Sequence, residues 1–404
     1  MTDRVHDNRP GLAIVTNSIT PYGVNLQRLI AEGIPELKLH VLISHWASDF
    51  AWQVEVPPEI HLTRFGIEGE HPLENPLRRP IWEWRKGGRF IRYFQEHDIR
   101  ATIIGGYRFI SYARLMSYCH RAGIPFFVNA DSNIRGEPQL SAIQRFSKRR
   151  IYDWWMKRVS GVFSMGKLGD EFFIKYGATA GQLYRVPYWP DFDAFSGVDV
   201  DRLERFRQKY GLDGQRRRLM YSGRLIPVKR VDLLIDAFAA IAADRPNWDL
   251  LIVGDGVLRE ELHRRVPDAL RNRVTWTGFI EGRELVVAYH AADVLVLPSD
   301  REPWALVVDE AMAAGLTVVA SDVVGAAHEL IVDGESGRVF LRGDASSLKS
   351  ALEDISHPDR IENYKTAATE ALKRYREVVD PIAEVRRALC DAGVLDRATT
   401  GSCS

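Results

Sequence analysis

Short, near-continuous runs of Val, Ile, Leu and Phe recur along the whole chain, each followed by a stretch of helical periodicity. In the first half the runs are LAIVTN (12–17), LKLHVLISH (37–45), ATIIGGY (101–107), PFFVNAD (125–131), GVFSMG (161–166) and LYRVPY (183–188). In the second half they are RRLMYSG (217–223), DLLIVGDG (249–256), VTWTGF (274–279), DVLVLPS (293–299) and LTVVAS (316–321). A strand that is apolar at nearly every position is covered on both faces, which is the situation of a parallel sheet between helical layers. Intervening segments such as VDLLIDAFAAIAADR (231–245) place apolar residues at three- and four-residue spacing, the stripe of a helix lying on such a sheet. Two successive series of these units predict an α/β chain built from two doubly wound, Rossmann-like parallel sheets.

The Pro-, Asp- and Gly-rich segment PYWPDFDAFSGVDV (187–200) marks the seam. The expected division is an N-terminal domain over 1–197 and a C-terminal domain over 198–378. A last helical segment near 379–394 follows, expected to pack back on the first domain, and the tail to 404 is expected to fray. Charge is balanced, with 54 Lys+Arg against 54 Asp+Glu, so no field of one sign covers the molecule and no nucleic-acid partner is expected. The halves differ: residues 1–197 carry 25 basic against 20 acidic side chains, the remainder 29 against 34. A basic N-terminal half suits an anionic partner such as a phospholipid surface or a lipid-diphosphate acceptor, although scatter between two domains gives the same count. Cys119, Cys390 and Cys403 lie far apart, without metal-like spacing, which fits a reducing compartment. The polar start MTDRVHDNRP predicts no signal peptide. No run approaches the roughly 18–20 apolar residues of a membrane span. A cytoplasmic protein is expected, at most peripheral on the inner face of the membrane.

Doubly wound domains bind ligands at the carboxyl ends of their strands, so the residues just after each strand carry the functional information. The segment SDREPWALVVDEAMAAGLTVVASDVVGAAHELI (299–331) is the most informative. Pro303 suits the first position of a helix running to about Ala314, which would leave the N–H groups near Trp304, Ala305 and Leu306 as an anion site suited to a diphosphate. Glu302 before that helix and Glu310 on it are acceptor-only groups, matched to sugar and ribose hydroxyls. A carboxylate complementing the helix dipole and one on a solvated face are the plain alternatives. In YSGRLIPVKRVDLLIDAF (221–238), Arg224 and Lys229 stand at a strand's carboxyl end, where two cations neutralise a leaving diphosphate without a metal. Gly223 lets the backbone approach closely.

These residues resemble the large retaining group of GT-B glycosyltransferases known as family four, in its E-P-W subgroup. Glu302, Glu310, Ala311-Met312-Ala313 and Gly315 match its E-x7-E and A-M-A-x-G signature in order and spacing, and Gly223, Arg224, Leu225 and Lys229 match its G-R-L…K element. GDGVLREEL (254–262) is similar to its Gly254-led G-x-G segment, and TGFI (277–280), with Phe279, to the loop that touches the nucleobase. The resemblance is strong over about 183–345 and weak over the first half. It implies a GT-B fold with two domains facing across a cleft, Glu302 on the transferred sugar, Glu310 on the ribose, and Arg224 and Lys229 on the diphosphate. Ala305 stands where the subgroup usually carries Gly, adding a methyl near the donor. In the first half, Gly23 in NSITPYGVNLQRLI (17–30) is a candidate for backbone access to donor or acceptor. Asp131, at the end of PFFVNAD, is a candidate facing the transferred sugar, against a capping role for Asp131-Ser132-Asn133.

Asp191-Phe192-Asp193 and Asp199-Val200-Asp201 have metal-binding spacing but fall in the linker, so no essential metal and no cofactor beyond the nucleotide-sugar substrate is expected. The glycine fingerprint at 254–259 is incomplete, because Arg259 stands at its last position, which disfavours a nicotinamide-dependent dehydrogenase. The segment RFSKRRIYDWWMKRVSG (145–161) clusters Arg and Lys around Tyr152, Trp154, Trp155 and Met156, the composition of a membrane-interface helix, against a core helix with a basic outer face. The expected activity is retaining transfer of a sugar from a nucleotide-diphosphate sugar to a glycan or lipid-linked acceptor in polysaccharide or glycolipid synthesis. The competing readings are a nucleotide-sugar 2-epimerase of the same fold and a sugar-nucleotide-binding protein without turnover.

Overall fold

A computed structural model describes residues 9–45, 55–66, 79–137 and 141–396. The expected fraying of the tail concerns 397–404, outside the described residues. The chain begins with β1 (Gly11–Thr16), α1 (Pro21–Gly33), β2 (Lys38–Ile43), β3 (His61–Arg64), α2 (Pro80–Glu96) and β4 (Ile99–Gly105). It continues through α3 (Ile110–Ala122), β5 (Phe126–Asn129), α4 (Ala142–Met156), β6 (Gly161–Ser164), α5 (Lys167–Lys175) and β7 (Leu183–Arg185). Two helices, α6 (Phe192–Phe195) and α7 (Val200–Tyr210), lead into β8 (Arg217–Ser222), α8 (Val231–Ile241), β9 (Trp248–Val253) and α9 (Arg259–Arg265). Then come β10 (Val274–Gly278), α10 (Gly282–His290), β11 (Val294–Leu297), α11 (Leu306–Ala313), β12 (Thr317–Ser321) and α12 (Ala327–Leu330). The chain closes with β13 (Gly337–Phe340), α13 (Ala345–Ile355), α14 (Ile361–Val378) and α15 (Pro381–Asp391).

The strands form two sheets, in the orders β3-β2-β1-β4-β5-β6-β7 and β10-β9-β8-β11-β12-β13. Every pairing between them is parallel. Each order reverses once, between β1 and β4 and between β8 and β11, and these are the switch points at which a doubly wound sheet opens a crevice. The apolar runs are strands because both faces are covered. Along β1, Ala13 and Val15 pack with α2–α5, whereas Leu12 packs with α1 and α15. Thus α15 completes the first sheet's core through Val385, Ala388 and Leu389, and Arg386 reaches Glu36 at 2.7 Å.

The D-x-D strings of the linker are spent on local structure. Asp191 caps α6 by accepting from the Ala194 N–H, and Asp199 caps α7 by accepting from the Arg202 N–H at 2.9 Å.

Candidate functional site

The second sheet's switch point lies between β8 and β11, and both following loops carry charged residues. Gly223 and Arg224 leave β8, and a 3-10 turn, Pro227–Lys229, presents Lys229. The loop after β11 brings Glu302 to it: the Lys229 ammonium donates to the Glu302 carboxylate, and the Asp300 N–H donates to the Val228 carbonyl at 2.8 Å. Tyr221 lies beneath, its hydroxyl donating to the Arg224 carbonyl at 2.8 Å. Burial raises its phenol; Glu302 adds to the rise and Arg224 opposes it, so both charges act on this one ring. Glu302 and Lys229 therefore meet in one ion pair, and the loop that carries Arg224 leaves β8 beside them.

Glycine makes the gathering possible. At Gly254 a Cβ would stand 1.9 Å from the Gly223 carbonyl oxygen, and φ is +134°. No other residue fits there, so Gly254 is fixed by the packing of one loop on the next. At Gly325 a Cβ would lie 2.1 Å from the Pro303 carbonyl oxygen, in the segment that pairs with Glu302 through a bridge to Val324. Phe279 follows the end of β10 at the sheet's edge and is exposed.

The helix after Glu302 starts later than its Pro suggests. Trp304 is buried, 2% exposed, and its indole N–H donates to Asp309 at 2.9 Å. Inserting that ring turns Ala305 into the left-handed region, φ +81°, so α11 begins at Leu306 and not at Pro303. The N–H groups at the helix start are those of Leu306 and Val307, and the Trp304 side chain faces the core. Glu310 is half-buried on α11, not on a solvated face. The Tyr289 hydroxyl donates to it at 2.7 Å, and burial pushes its carboxyl up to about 7.

Across the cleft, at the β1/β4 switch point, a cavity of about 480 Å³ is lined by Asn17, Gln27, Tyr107, Asn129, Asp131 and Tyr188 among others. Gly23 lines it too, but its N–H is already taken by the Thr20 hydroxyl that caps α1, at 3.1 Å. The cavity lies away from Arg224 and Lys229. Asp131 joins the two sides: it is open to the cleft yet walled by protein, accepts from the Tyr188 hydroxyl, and is raised by desolvation and then by the charge of Glu302. Asp131 is not the cap of a helix; α4 is capped by Ser141.

Asn133, expected in a cap with Asp131 and Ser132, is instead buried, 5% exposed. Its amide donates across the cleft to the carbonyls of Glu302 (3.2 Å), Pro303 (3.3 Å) and Val323 (2.9 Å). Arg135 reaches Asp322 at 3.1 Å, and Glu329 accepts from the Lys167 N–H at 2.6 Å. These contacts hold the two domains together around Glu302. No local pattern reveals them, since the Asn133 partners lie 169 to 190 residues away.

Residues 203–374 match the family described as Glycosyl transferases group 1. The chain is 27% identical over 356 residues to a GDP-mannose-dependent alpha-(1-6)-phosphatidylinositol monomannoside mannosyltransferase of Mycolicibacterium smegmatis, covering 85% of this chain and 88% of that protein. It is 33% identical to a phosphatidyl-myo-inositol mannosyltransferase of Mycobacterium leprae, over 45% of this chain and only 48% of the relative's length. Among solved structures, sucrose-phosphate synthase from Thermosynechococcus elongatus superposes with a TM-score of 0.76 at 19% identity, over 95% of this chain and all of that one. Anabaena HepE, solved with UDP and glucose, superposes with a TM-score of 0.69 at 18% identity, over 96% of this chain and all of that one.

Proposed function

We propose that this chain, a GT-B glycosyltransferase whose C-terminal domain belongs to the glycosyl transferases group 1, transfers a sugar with retention from a nucleotide-diphosphate sugar to a lipid-linked or glycan acceptor in glycolipid or polysaccharide synthesis. The observation that carries the reading is the convergence of Arg224, Lys229 and Glu302 at the β8/β11 switch point, with α11 opening beside them. The mannosyltransferase relatives favour GDP-mannose as donor and a phosphoinositide-type glycolipid as acceptor.

In the proposed reaction the bond from the anomeric carbon to the diphosphate oxygen breaks as the acceptor oxygen bonds to that carbon on the same face. The acceptor's proton passes to the departing phosphate oxygen. Negative charge grows on the diphosphate, and fixed positive potential placed there in advance lowers the barrier most. Arg224, Lys229 and the N–H groups at the start of α11 supply it. Without a donor, the Glu302 carboxylate holds Lys229. With a donor, Glu302 accepts from hydroxyls of the transferred sugar and releases the ammonium toward the phosphates. Glu310 accepts from the ribose, and Asp131 faces the transferred sugar from the N-terminal side. The acceptor's head occupies the cavity of Asn17, Gln27 and Tyr107. No metal is required in this scheme.

The test is a thermal-shift panel of GDP-, UDP- and ADP-sugars, since a ligand that binds only the native state raises its stability. NMR of the product formed with a phosphoinositide acceptor then reads the anomeric configuration. A GDP-mannose shift and a retained α-linkage are expected. No shift with any nucleotide sugar, or an inverted product, would refute the proposal.

A further inference from the structure

The first sheet has two helical layers of different character. On one side α1 and α15 are charge-balanced, with two cations and two carboxylates on α15 and one of each on α1. On the other side lie α2, α3, α4 and α5, and residues 142–158 of α4 and its exit carry six Lys and Arg against one carboxylate, Asp153. All the exposed large hydrophobics described in the N-terminal domain lie on this second layer: Ile81 and Trp84 on α2, Ile143, Phe146, Ile151 and Trp154 on α4, and Ile174 on α5. Helical spacing puts Ile143, Phe146, Arg150 and Trp154 along one outward line of α4, with Ile151 and Arg158 beside it. Ile143 is 79% exposed and Phe146 68%. Tyr152 and Met156 take the buried side. The helix thus has a core face, as the plain reading of its sequence requires, and a second apolar face turned to solvent.

The cations along that face are not neutralised. Lys148 turns inward to Glu137, at 2.6 Å, and Lys157 pairs with Asp153. Among the described residues, however, Arg145, Arg149 and Arg150 form no ion pair. Arg158 lies over the Trp154 ring at 4.1 Å, as Arg114 lies over Trp84 at 4.3 Å. Aromatic rings at headgroup depth, flanked by Arg and mixed with exposed aliphatic side chains, are the composition of a surface that lies in a bilayer interface. A helix that is apolar on a second face needs an occupant for it. The charge complement here is anionic and extended, which a phospholipid surface supplies.

We infer that the outer face of α4, extended by the start of α2, is a docking surface for an anionic phospholipid bilayer. No described helix is long and apolar enough to cross a membrane, and in this inference the bilayer is met by this face alone. The inference deepens the proposed glycolipid reading and rests on it for its purpose: α4 follows the connection from β5 that carries Asp131 and Asn133, so docking sets the acceptor side of the cleft at the lipid surface.

The experiment is co-sedimentation of the full chain with vesicles of phosphatidylglycerol and of phosphatidylcholine, at low and high salt. Binding to phosphatidylglycerol that weakens with salt, and little to phosphatidylcholine, is expected. Reversing two cations, Arg149→Glu with Arg150→Glu, is expected to weaken binding at least tenfold, and Phe146→Ala with Trp154→Ala likewise. Lys373→Glu, on the C-terminal domain, is expected to leave it unchanged. Equal binding of the Arg149/Arg150 variant and wild type, or no binding to phosphatidylglycerol at low salt, would overturn the inference. So would a wild-type dimer that Phe146→Asp dissociates, because the face would then belong to a second copy. Nucleotide-sugar binding is measured on the same preparations. If it persists where vesicle binding fails, only the membrane surface is withdrawn and the donor site stands.

Discussion

Glu310→Gln separates a ribose-binding carboxylate from a buried one of no function. In the free protein, burial raises the Glu310 carboxyl from 4.5 to about 7. At about 1.4 kcal/mol for each tenfold in proton affinity, the neutral form is favoured by up to about 3 kcal/mol relative to the unfolded chain. Between these two values the native protein binds the extra proton and the unfolded chain does not. Stability from this group is therefore fully present below pH 4.5 and is lost as pH rises toward and through 7. A ribose hydroxyl donates to the ionised form, so donor binding at pH 6 must expel the proton. Roughly nine in ten molecules carry that proton at pH 6, so affinity there is expected to be about tenfold below its value at pH 8. The diphosphate of a nucleotide sugar has no ionisation of its own in this window, so GDP-mannose is a cleaner probe than GDP. Titration calorimetry at pH 6, in buffers of different ionisation enthalpy, is expected to show release of close to one proton. In Glu310→Gln the release and the pH dependence vanish, and affinity falls about 10- to 150-fold at pH 8 with the charge-assisted bond. Wild-type binding that releases no proton at pH 6 and changes less than twofold up to pH 8 would refute the ribose assignment.

Three further outcomes follow from particular contacts. Ala305→Gly relieves a left-handed alanine and is expected to stabilise the protein by about 1 kcal/mol, read as a higher midpoint in thermal unfolding; a lower midpoint would mean that the φ of +81° costs nothing. Asn133→Ala removes the amide that bridges Glu302, Pro303 and Val323, at about 1–3 kcal/mol. Its expected signature is a larger radius of gyration in small-angle scattering with kcat/KM down about tenfold or more, and unchanged scattering would remove the clamp. Activity is expected to survive EDTA, and loss on chelation with recovery on adding manganese would show that a metal shares the leaving-group charge.

Much of the fold is legible in the sequence because a doubly wound sheet writes itself as apolar runs. The run at 12–17 is β1 displaced by one residue, and the run at 293–299 contains the four residues of β11. Two of the four edge strands, β3 and β13, are not legible in this way. HLTR at β3 has exposed ends and no apolar run, and β13 is four residues, two of them half-buried. Edge strands are covered less, so they carry less of the pattern. The start of α11 lies three residues beyond the expected Pro303, because a proline is a local signal and packing the Trp304 ring on Asp309 overrides it. Glu302, Arg224 and Lys229 are readable because each follows a strand in a recognisable motif. Asn133 is not, because its role is defined by carbonyls on the other domain. The raised Glu310 is not readable either, since Tyr289 and the surrounding walls exist only after folding.

Single-turnover transfer by Arg224→Ala and Lys229→Ala, at saturating donor and acceptor, probes the cationic support of the leaving group directly. Each substitution is expected to slow the chemical step by about 30- to 1,000-fold, the equivalent of about 2–4 kcal/mol for a lost electrostatic donor. Folding, read by thermal unfolding, should change far less than the rate. Wild-type turnover in both variants would mean that neither side chain bears the departing diphosphate's charge.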